Sequence, residues 1–130
     1  MNDLLEQGAT WLTTQQRTHA AKVVTYQRGQ MTLSVAATLG QSEHGAEDLS
    51  GGQHLWISRD FLITVVDLVI SGQQLTPQRG DRIIEDRNGR RYTHEVASDS
   101  GSSDCWKYAD AYRTTYRIYT KTIKAEDVPE

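Results

Sequence analysis

The turn dipeptide Asn88-Gly89 constrains the fold of this chain more than any other feature of its sequence. It separates two runs of β-forming residues, 81–86 and 90–96. Asn-Gly is the strongest two-residue hairpin signal, because both positions tolerate the positive φ that a type I′ turn requires. We therefore predict two antiparallel strands joined by a tight turn at this point.

Further β runs lie on both sides of this hairpin. They are rich in valine, isoleucine, threonine and aromatic residues, and several alternate apolar with polar positions, as half-buried strands do. Residues 22–26 and 31–39 are separated by Arg28-Gly29-Gln30, which predicts a second hairpin. The remaining strand signals cover 54–66, 105–108 and 115–123, while residues 66–70 fit either a strand end or a short helix.

Three segments depart from the β pattern. Residues 1–18 carry large apolar side chains at helical spacing, which predicts an amphipathic N-terminal helix. Residues 40–53 contain four glycines and several acids, which predicts a long, flexible loop. The polar tail 124–130 is expected to fray. The whole pattern predicts one mainly β domain over residues 1–130, a small β-barrel or sandwich of about six strands with an N-terminal helix.

Composition narrows the class of protein. The chain has 130 residues, 37% of them hydrophobic and 24% charged, with a formal net charge of -3. These values are typical of a folded domain, and neither a disordered nor a membrane protein has them. The mild acidity argues against a dedicated nucleic-acid binder. The arginines near the Asn-Gly turn are interleaved with acids, so they favour a mixed-charge hairpin face over a phosphate track.

No catalytic, cofactor or metal motif is visible. The four histidines and Cys105 lack the pair spacings of zinc sites, and the sequence contains no phosphate-binding loop or Gly-x-Ser-x-Gly. Cys105 is followed by Trp106, which favours a packed thiol over a nucleophile. A lone cysteine also excludes an internal disulfide, and no signal peptide is apparent. We therefore predict that the protein is not an enzyme and needs no cofactor or metal.

The order of motifs in the second half resembles the tailed-phage head–tail joining proteins, the head-completion or neck family. The resemblance starts in the β run Phe61-Leu62-Ile63-Thr64. It continues through Arg79-Gly80-Asp81, the strand Arg82-Ile83-Ile84 and the returning strand near 92–96. It then reaches Asp99-Ser100-Gly101-Ser102-Ser103-Asp104-Cys105-Trp106. The predicted N-terminal helix, strand pair and long loop are similar to the front half of that family.

This resemblance implies a structural role in a phage or prophage-like element. The family's proteins bind as a ring below the portal, close the filled head and offer a surface to the tail. The implied partners are portal or connector proteins and tail-completion proteins, with a homo-oligomeric ring on assembly and a monomer in isolation. The implied location is the virion neck, or the host cytoplasm before assembly, with no role for a membrane or for sequence-specific nucleic-acid binding.

We expect the partner contacts to come from the loop and the N-terminal helix. The candidate residues are Glu43, His44, Glu47, Asp48, Leu49, Leu4, Leu5 and Trp11. Three alternatives stay open: another neck or tail-completion subunit, a small ligand-binding β-barrel of cellular origin, and a small hydrolase. The ligand-binding barrel would have a deep apolar pocket lined by aromatics such as Trp106 and Tyr116. The hydrolase would gather carboxylates or histidines in one cleft.

Overall fold

A computed structural model describes residues 21–47, 53–98 and 104–128. The predicted helix over 1–18 lies outside these residues. The described part consists of strands and one 3₁₀ turn, Val65–Asp67. The strands are β1 (Lys22–Arg28), β2 (Met31–Glu47), β3 (Gln53–Thr64), β4 (Val69–Ile70), β5 (Gln73–Gln74), β6 (Arg82–Arg87), β7 (Arg90–Val96), β8 (Trp106–Tyr108) and β9 (Thr115–Asp127).

Six of these strands close into an antiparallel barrel in the order β1-β2-β3-β9-β7-β6, with β6 pairing back onto β1. The short strand β8 extends the wall beside β9, and β4 and β5 form a separate two-stranded sheet. The prediction of a small, mainly β barrel of about six strands is confirmed. Asn88 and Gly89 form the predicted turn, with φ of 52° and 78°.

The barrel interior is filled by side chains. Inward positions alternate along each strand, and the fully buried members include Tyr26, Phe61, Ile63, Ile83 and Ile118. The segment that contains β4 and β5 adds Leu68, Ile70 and Leu75 to the same core. The hydroxyl of the buried Tyr116 donates to the carbonyl of Leu75 at 3.1 Å, so this segment is held to the barrel by both packing and a hydrogen bond.

A polar contact joins two neighbouring strands where the interior meets the turn before β6. Asp81 is 4% exposed and accepts hydrogen bonds from the Tyr26 hydroxyl and the Arg28 guanidinium, the latter at 2.7 Å from Nη2. Burial, reinforced by the neighbouring carboxylate, raises the pKa of Tyr26 well above its ordinary value. The phenol therefore stays protonated and acts as a donor that links β1 to the Asp81 turn.

Two predicted boundaries were wrong. Residues 40–47 continue β2, and they pair in register with β3 from Glu47↔Gln53 to Gly40↔Asp60, so they form a hairpin where a loop was expected. Residues 124–127 continue β9 and pair with β7, where a frayed tail was expected. In both places backbone pairing with a neighbouring strand outweighs the low β-propensity of glycine and acidic residues.

Candidate interaction surface

The β2–β3 hairpin extends beyond the closed barrel. β1 stops pairing with β2 at Lys22↔Ala37, and β9 stops pairing with β3 at Arg59↔Thr120. Within the part of the chain that the structure describes, residues 41–47 and 53–58 therefore pair only with each other. We call this two-stranded extension the ribbon.

A second extension lies beside the ribbon at the same end of the barrel. β1 pairs with β6 only up to Thr25↔Ile84, so among the described strands β7 is the only sheet neighbour of residues 85–87. Residues 121–127 of β9 pair with β7 on one side, and β3 does not follow them on the other. We call residues 85–93 and 121–127 together the flap. The described strands thus separate at this end of the barrel into two projecting parts, the ribbon and the flap.

A buried carboxylate on the outer face fixes the base of the ribbon to β9. Asp60 is fully buried, although it points away from the barrel interior that Phe61 and Ile63 fill. It accepts hydrogen bonds from the hydroxyls of Ser42 and Ser58 and from Arg117 Nε, the last at 2.7 Å. Three strands are thereby joined through one side chain.

Gly40 makes room for this contact. A Cβ at position 40 would lie 3.2 Å from Arg117 Nη2, which is closer than side-chain atoms normally approach. The same Nη2 donates to the carbonyl of Gln41 at 3.1 Å. The glycine that suggests a loop in the sequence therefore leaves room for the guanidinium beside β2.

The chain of contacts from Asp60 continues to a histidine. His44 Nε2 lies 2.8 Å from Ser58 Oγ, and Ser58 donates its own proton to Asp60. His44 therefore donates to the serine. A catalytic triad needs the opposite arrangement, in which the histidine accepts the serine proton and the carboxylate orients the histidine. Ser58 is also fully buried. The arrangement joins the two strands of the ribbon at its base and buries the serine hydroxyl.

Aromatic stacking continues the same face toward the ribbon's far end. The rings of His44 and Trp56 stack with centroids 4.2 Å apart, and Tyr119 meets His44 edge-on at 4.7 Å. Lys121 Nζ lies 4.6 Å from the Trp56 ring centroid, which is within cation–π range. This last contact spans the gap between the ribbon and the flap, where the two strands no longer exchange backbone hydrogen bonds.

A charged cluster fills the inside of the barrel at the level where the two extensions begin. Glu85 is 1% exposed and accepts from Arg59 Nε at 2.7 Å, His94 Nε2 at 2.8 Å and Lys22 Nζ at 3.1 Å. Burial by itself would raise the pKa of Glu85, but the three donors outweigh it and lower the pKa to about 2. The carboxylate therefore stays charged and holds β1, β3 and β7 to β6.

His94 occupies this cluster as a neutral ring. Burial lowers its pKa, and the opposing effect of Glu85 is smaller. With its proton on Nε2 the ring donates to Glu85, while Nδ1 accepts from the Thr122 hydroxyl at 2.9 Å. Both nitrogens are satisfied without a ligand. Among the residues that the structure describes, no group of three or more His, Cys, Asp or Glu could hold a metal ion.

The predicted partner-binding residues have separate outcomes. Glu43 is exposed on the ribbon and lies opposite Ile57, whereas His44 is half-buried on the other face. Glu47 ends β2. Asp48, Leu49, Leu4, Leu5 and Trp11 lie outside the described residues. Partner binding by these residues therefore stays a prediction.

Sequence reasoning missed the residues that support the ribbon. Ser58 and Arg117 gave no signal, and the contact between Asp60 and Arg117 could not be predicted, because the two residues are 57 positions apart and nothing in the sequence fixes their register. One signal was available for Asp60: a carboxylate in the middle of an apolar β run needs a partner when the strand is buried. The same reasoning applies to Glu85, two residues after the inward-facing Ile83.

The side-chain-filled interior and the projecting ribbon define the class of fold to which the chain belongs: a closed β-barrel with a hairpin extension. The rings of Trp106 and Tyr116, which a ligand-binding barrel was expected to direct into a deep pocket, pack edge to face with centroids 4.9 Å apart, and Tyr116 is buried. Across the described strands and turns, no helix is long and apolar enough to cross a membrane.

The comparison with family models makes the assignment specific. The model of the phage head-tail joining proteins matches residues 2–127, and the chain belongs to that family. It is a structural protein of the phage virion that joins head to tail, as the resemblance predicted. Membership implies contact with head and tail components at the virion neck. No match was found among curated proteins.

Proposed function

We propose that the protein assembles as a ring below the portal, closes the filled head and presents a surface to the tail-completion proteins. In this proposal the ribbon supplies one partner-contacting surface. Residues 1–18 supply a second one through Leu4, Leu5 and Trp11. The observation that carries the proposal is the ribbon itself, a projecting hairpin held in place by buried polar contacts at its base.

The cost of that support favours a functional role for the ribbon. A fully buried aspartate is expensive to desolvate and stabilises a fold only when several donors compensate it. Here the compensation fixes residues 42, 58 and 117 around Asp60, at the point where the ribbon leaves the barrel. A hairpin held stiffly before binding loses less conformational entropy when a partner docks on it.

According to this proposal, the protein has no catalytic role. The two clusters that contain a histidine and a carboxylate satisfy their hydrogen bonds internally, and the side chains of Ser58, Glu85 and His94 are buried. A hydrolase needs such groups to face a cleft that a substrate can enter. No cofactor or metal takes part.

The proposal is tested by shortening the ribbon without disturbing its base. Ser42 and Ser58 face each other in the register, so residues 43–57 can be replaced by an Asn-Gly turn that joins them. We expect the shortened protein to fold, as measured by circular dichroism and thermal unfolding, and to lose the joining of filled heads to tails in a complementation assay.

A matched control alters an exposed residue far from the ribbon. Met31 is 46% exposed in the β1–β2 turn region, and Met31→Lys should join heads to tails normally. Normal joining by the folded, shortened protein would refute the role of the ribbon.

A further inference from the structure

We propose that the end of the barrel opposite the ribbon carries a further docking surface, which binds a segment of a head or tail component that has a carboxylate beside an apolar side chain. The surface lies where β8 turns into β9. Four residues form it: Trp106, Tyr108, Tyr112 and Arg113. We call these four residues the aromatic patch. The inference rests on the proposed function, because a protein that joins head to tail must hold two bodies at once.

The register of β9 places the aromatic patch and the ribbon at opposite ends of the barrel. β3 pairs with β9 from Thr64↔Thr115, beside the patch, to Arg59↔Thr120, and the ribbon starts beyond the second of these pairs. Five residues of strand separate the two levels, which is about 17 Å. Two partners can therefore bind at the two ends without overlapping.

The rings of the aromatic patch are held in place by the core. The Trp106 ring meets Tyr108 and Tyr116 edge-on, with centroids 5.0 Å and 4.9 Å away, and Tyr108 stacks on Tyr116. Tyr116 is buried, and its hydroxyl donates to the carbonyl of Leu75. Tyr108 nevertheless stays 38% exposed, as does Tyr112. Tyrosine, tryptophan and arginine are the residue types that most often carry the binding energy of a protein interface.

The turn that carries Tyr112 and Arg113 is also fixed before binding. The Asp110 carboxylate accepts from the backbone N–H groups of Thr114 and Thr115, at 2.9 and 3.1 Å, and from the Thr114 hydroxyl at 2.6 Å. These bonds hold Arg113 at a φ of 58°, in the left-handed region that a residue with a Cβ adopts only at a cost. A surface fixed in this way loses little conformational entropy when a partner binds.

The charge of the aromatic patch indicates what it binds. The Arg113 guanidinium lies over the Tyr108 ring, 5.6 Å from its centroid, and in the described part of the chain it has no hydrogen-bond acceptor or ion-pair partner. Its planar set of N–H donors matches a carboxylate. Residues 104–116 carry Asp104 and Asp110 against Lys107 and Arg113, so the segment lacks the positive excess that a nucleic-acid backbone requires. One guanidinium among aromatic rings instead fits one carboxylate at the edge of an apolar contact.

The substitution Arg113→Gly separates a role in binding from a role in folding. Glycine adopts positive φ freely, so the variant should unfold at the same temperature as the natural protein or at a higher one. It should nevertheless lower the yield of joined particles about tenfold, the loss typical of a residue central to an interface. Asn88→Gly is the matched control, because it places glycine at a φ of 52° in the turn between β6 and β7, and it should join heads to tails normally.

A two-step assay shows which partner each surface holds. Filled heads are incubated with the protein and recovered by sedimentation, and tails are then added. We expect Arg113→Gly to fail at one step and the protein with the shortened ribbon to fail at the other. Normal joining by the folded Arg113→Gly and Tyr112→Ala proteins, or failure of both surfaces at the same step, would overturn the inference. Failure of the natural protein to bind either heads or tails would instead refute the proposed function.

Zero-length cross-linking identifies the class of the partner. A carbodiimide joins an amine to a carboxylate in contact with it, with loss of water, so joined particles that contain the Arg113→Lys protein should form an amide between position 113 and an Asp or Glu of a head or tail component. Mass spectrometry after proteolysis identifies the pair. Cross-links at position 113 only within this chain or only between its copies would contradict the assignment. Binding of a short DNA duplex that Arg113→Gly abolishes would contradict it as well.

Discussion

The substitution Asp60→Ala tests whether buried polar contacts hold the ribbon to the barrel. It removes the acceptor shared by Ser42, Ser58 and Arg117. The side chain of Asp60 is fully buried and that of Arg117 is 25% exposed, so most of the guanidinium is left in a poorly solvated site without its counter-charge. Breaking a buried ion pair by removing one partner costs about 3–5 kcal/mol.

Two corrections apply to that range and largely cancel. The exposed part of Arg117 regains water, which lowers the cost. The Ser58 hydroxyl is buried and loses its acceptor, which raises the cost by about 1–3 kcal/mol. We therefore expect a loss of about 4 kcal/mol in the free energy of unfolding, a large fraction of the roughly 5–15 kcal/mol typical of a domain.

Urea unfolding followed by circular dichroism measures the loss, and hydrogen exchange locates it. Backbone amides of the ribbon should lose protection more than those of β6 and β7. Asp86→Ala is the matched control, because Asp86 also accepts from an arginine, at 2.9 Å from Arg91 Nε, but in solvent. The control should change stability little, since exposed ion pairs are screened. Equal, small effects of both substitutions would refute the argument that burial makes the Asp60 contact strong.

Three further predictions concern the same structure. Because the pKa of Glu85 lies near 2 in the folded protein and near 4.5 when unfolded, its contribution is present above pH 4.5. About 3 kcal/mol should be lost between pH 4.5 and 2. Urea titrations should show this fall in the natural protein and little of it in Glu85→Gln. Gly40→Ala should displace Arg117 and cost about 1–2 kcal/mol of unfolding free energy; no change would mean that the guanidinium moves freely. Asn88→Ala should cost about 1 kcal/mol in the same assay, because alanine disfavours the φ of 52° there.

Sequence patterns predicted the strands whose signals are local. The Asn88-Gly89 turn predicted one hairpin. The alternation of apolar and polar residues predicted β1 and the first half of β2. The second half of β2 was missed because Gly40 and Glu43 are poor strand formers by themselves. Their strand conformation comes from pairing with β3, whose Trp56 and Ile57 lie opposite His44 and Glu43.

The long-range contacts could not be predicted from local sequence patterns, for a different reason. The cluster around Glu85 draws on Lys22, Arg59 and His94, which are separated from it by 63, 26 and 9 positions. Each contact depends on the register of a different strand pair. The order of motifs was enough to assign the family. The contacts of Ser58, Asp60 and Arg117 at the base of the ribbon could be identified only once the strand pairing was known.

The last strand determines when the barrel can close during synthesis. β9 is the final element of the described chain, and it pairs with β3, β7 and β8. Until the ribosome releases this strand, β3 and β7 both keep an open edge, and pairs such as Arg59↔Thr120 require closure of a long loop. Both edges are therefore open together from the synthesis of β7, which ends at Val96, until β9 has been made. A fragment that ends before residue 115 lacks β9 and should aggregate, because β3 and β7 then keep edges that β9 would otherwise pair.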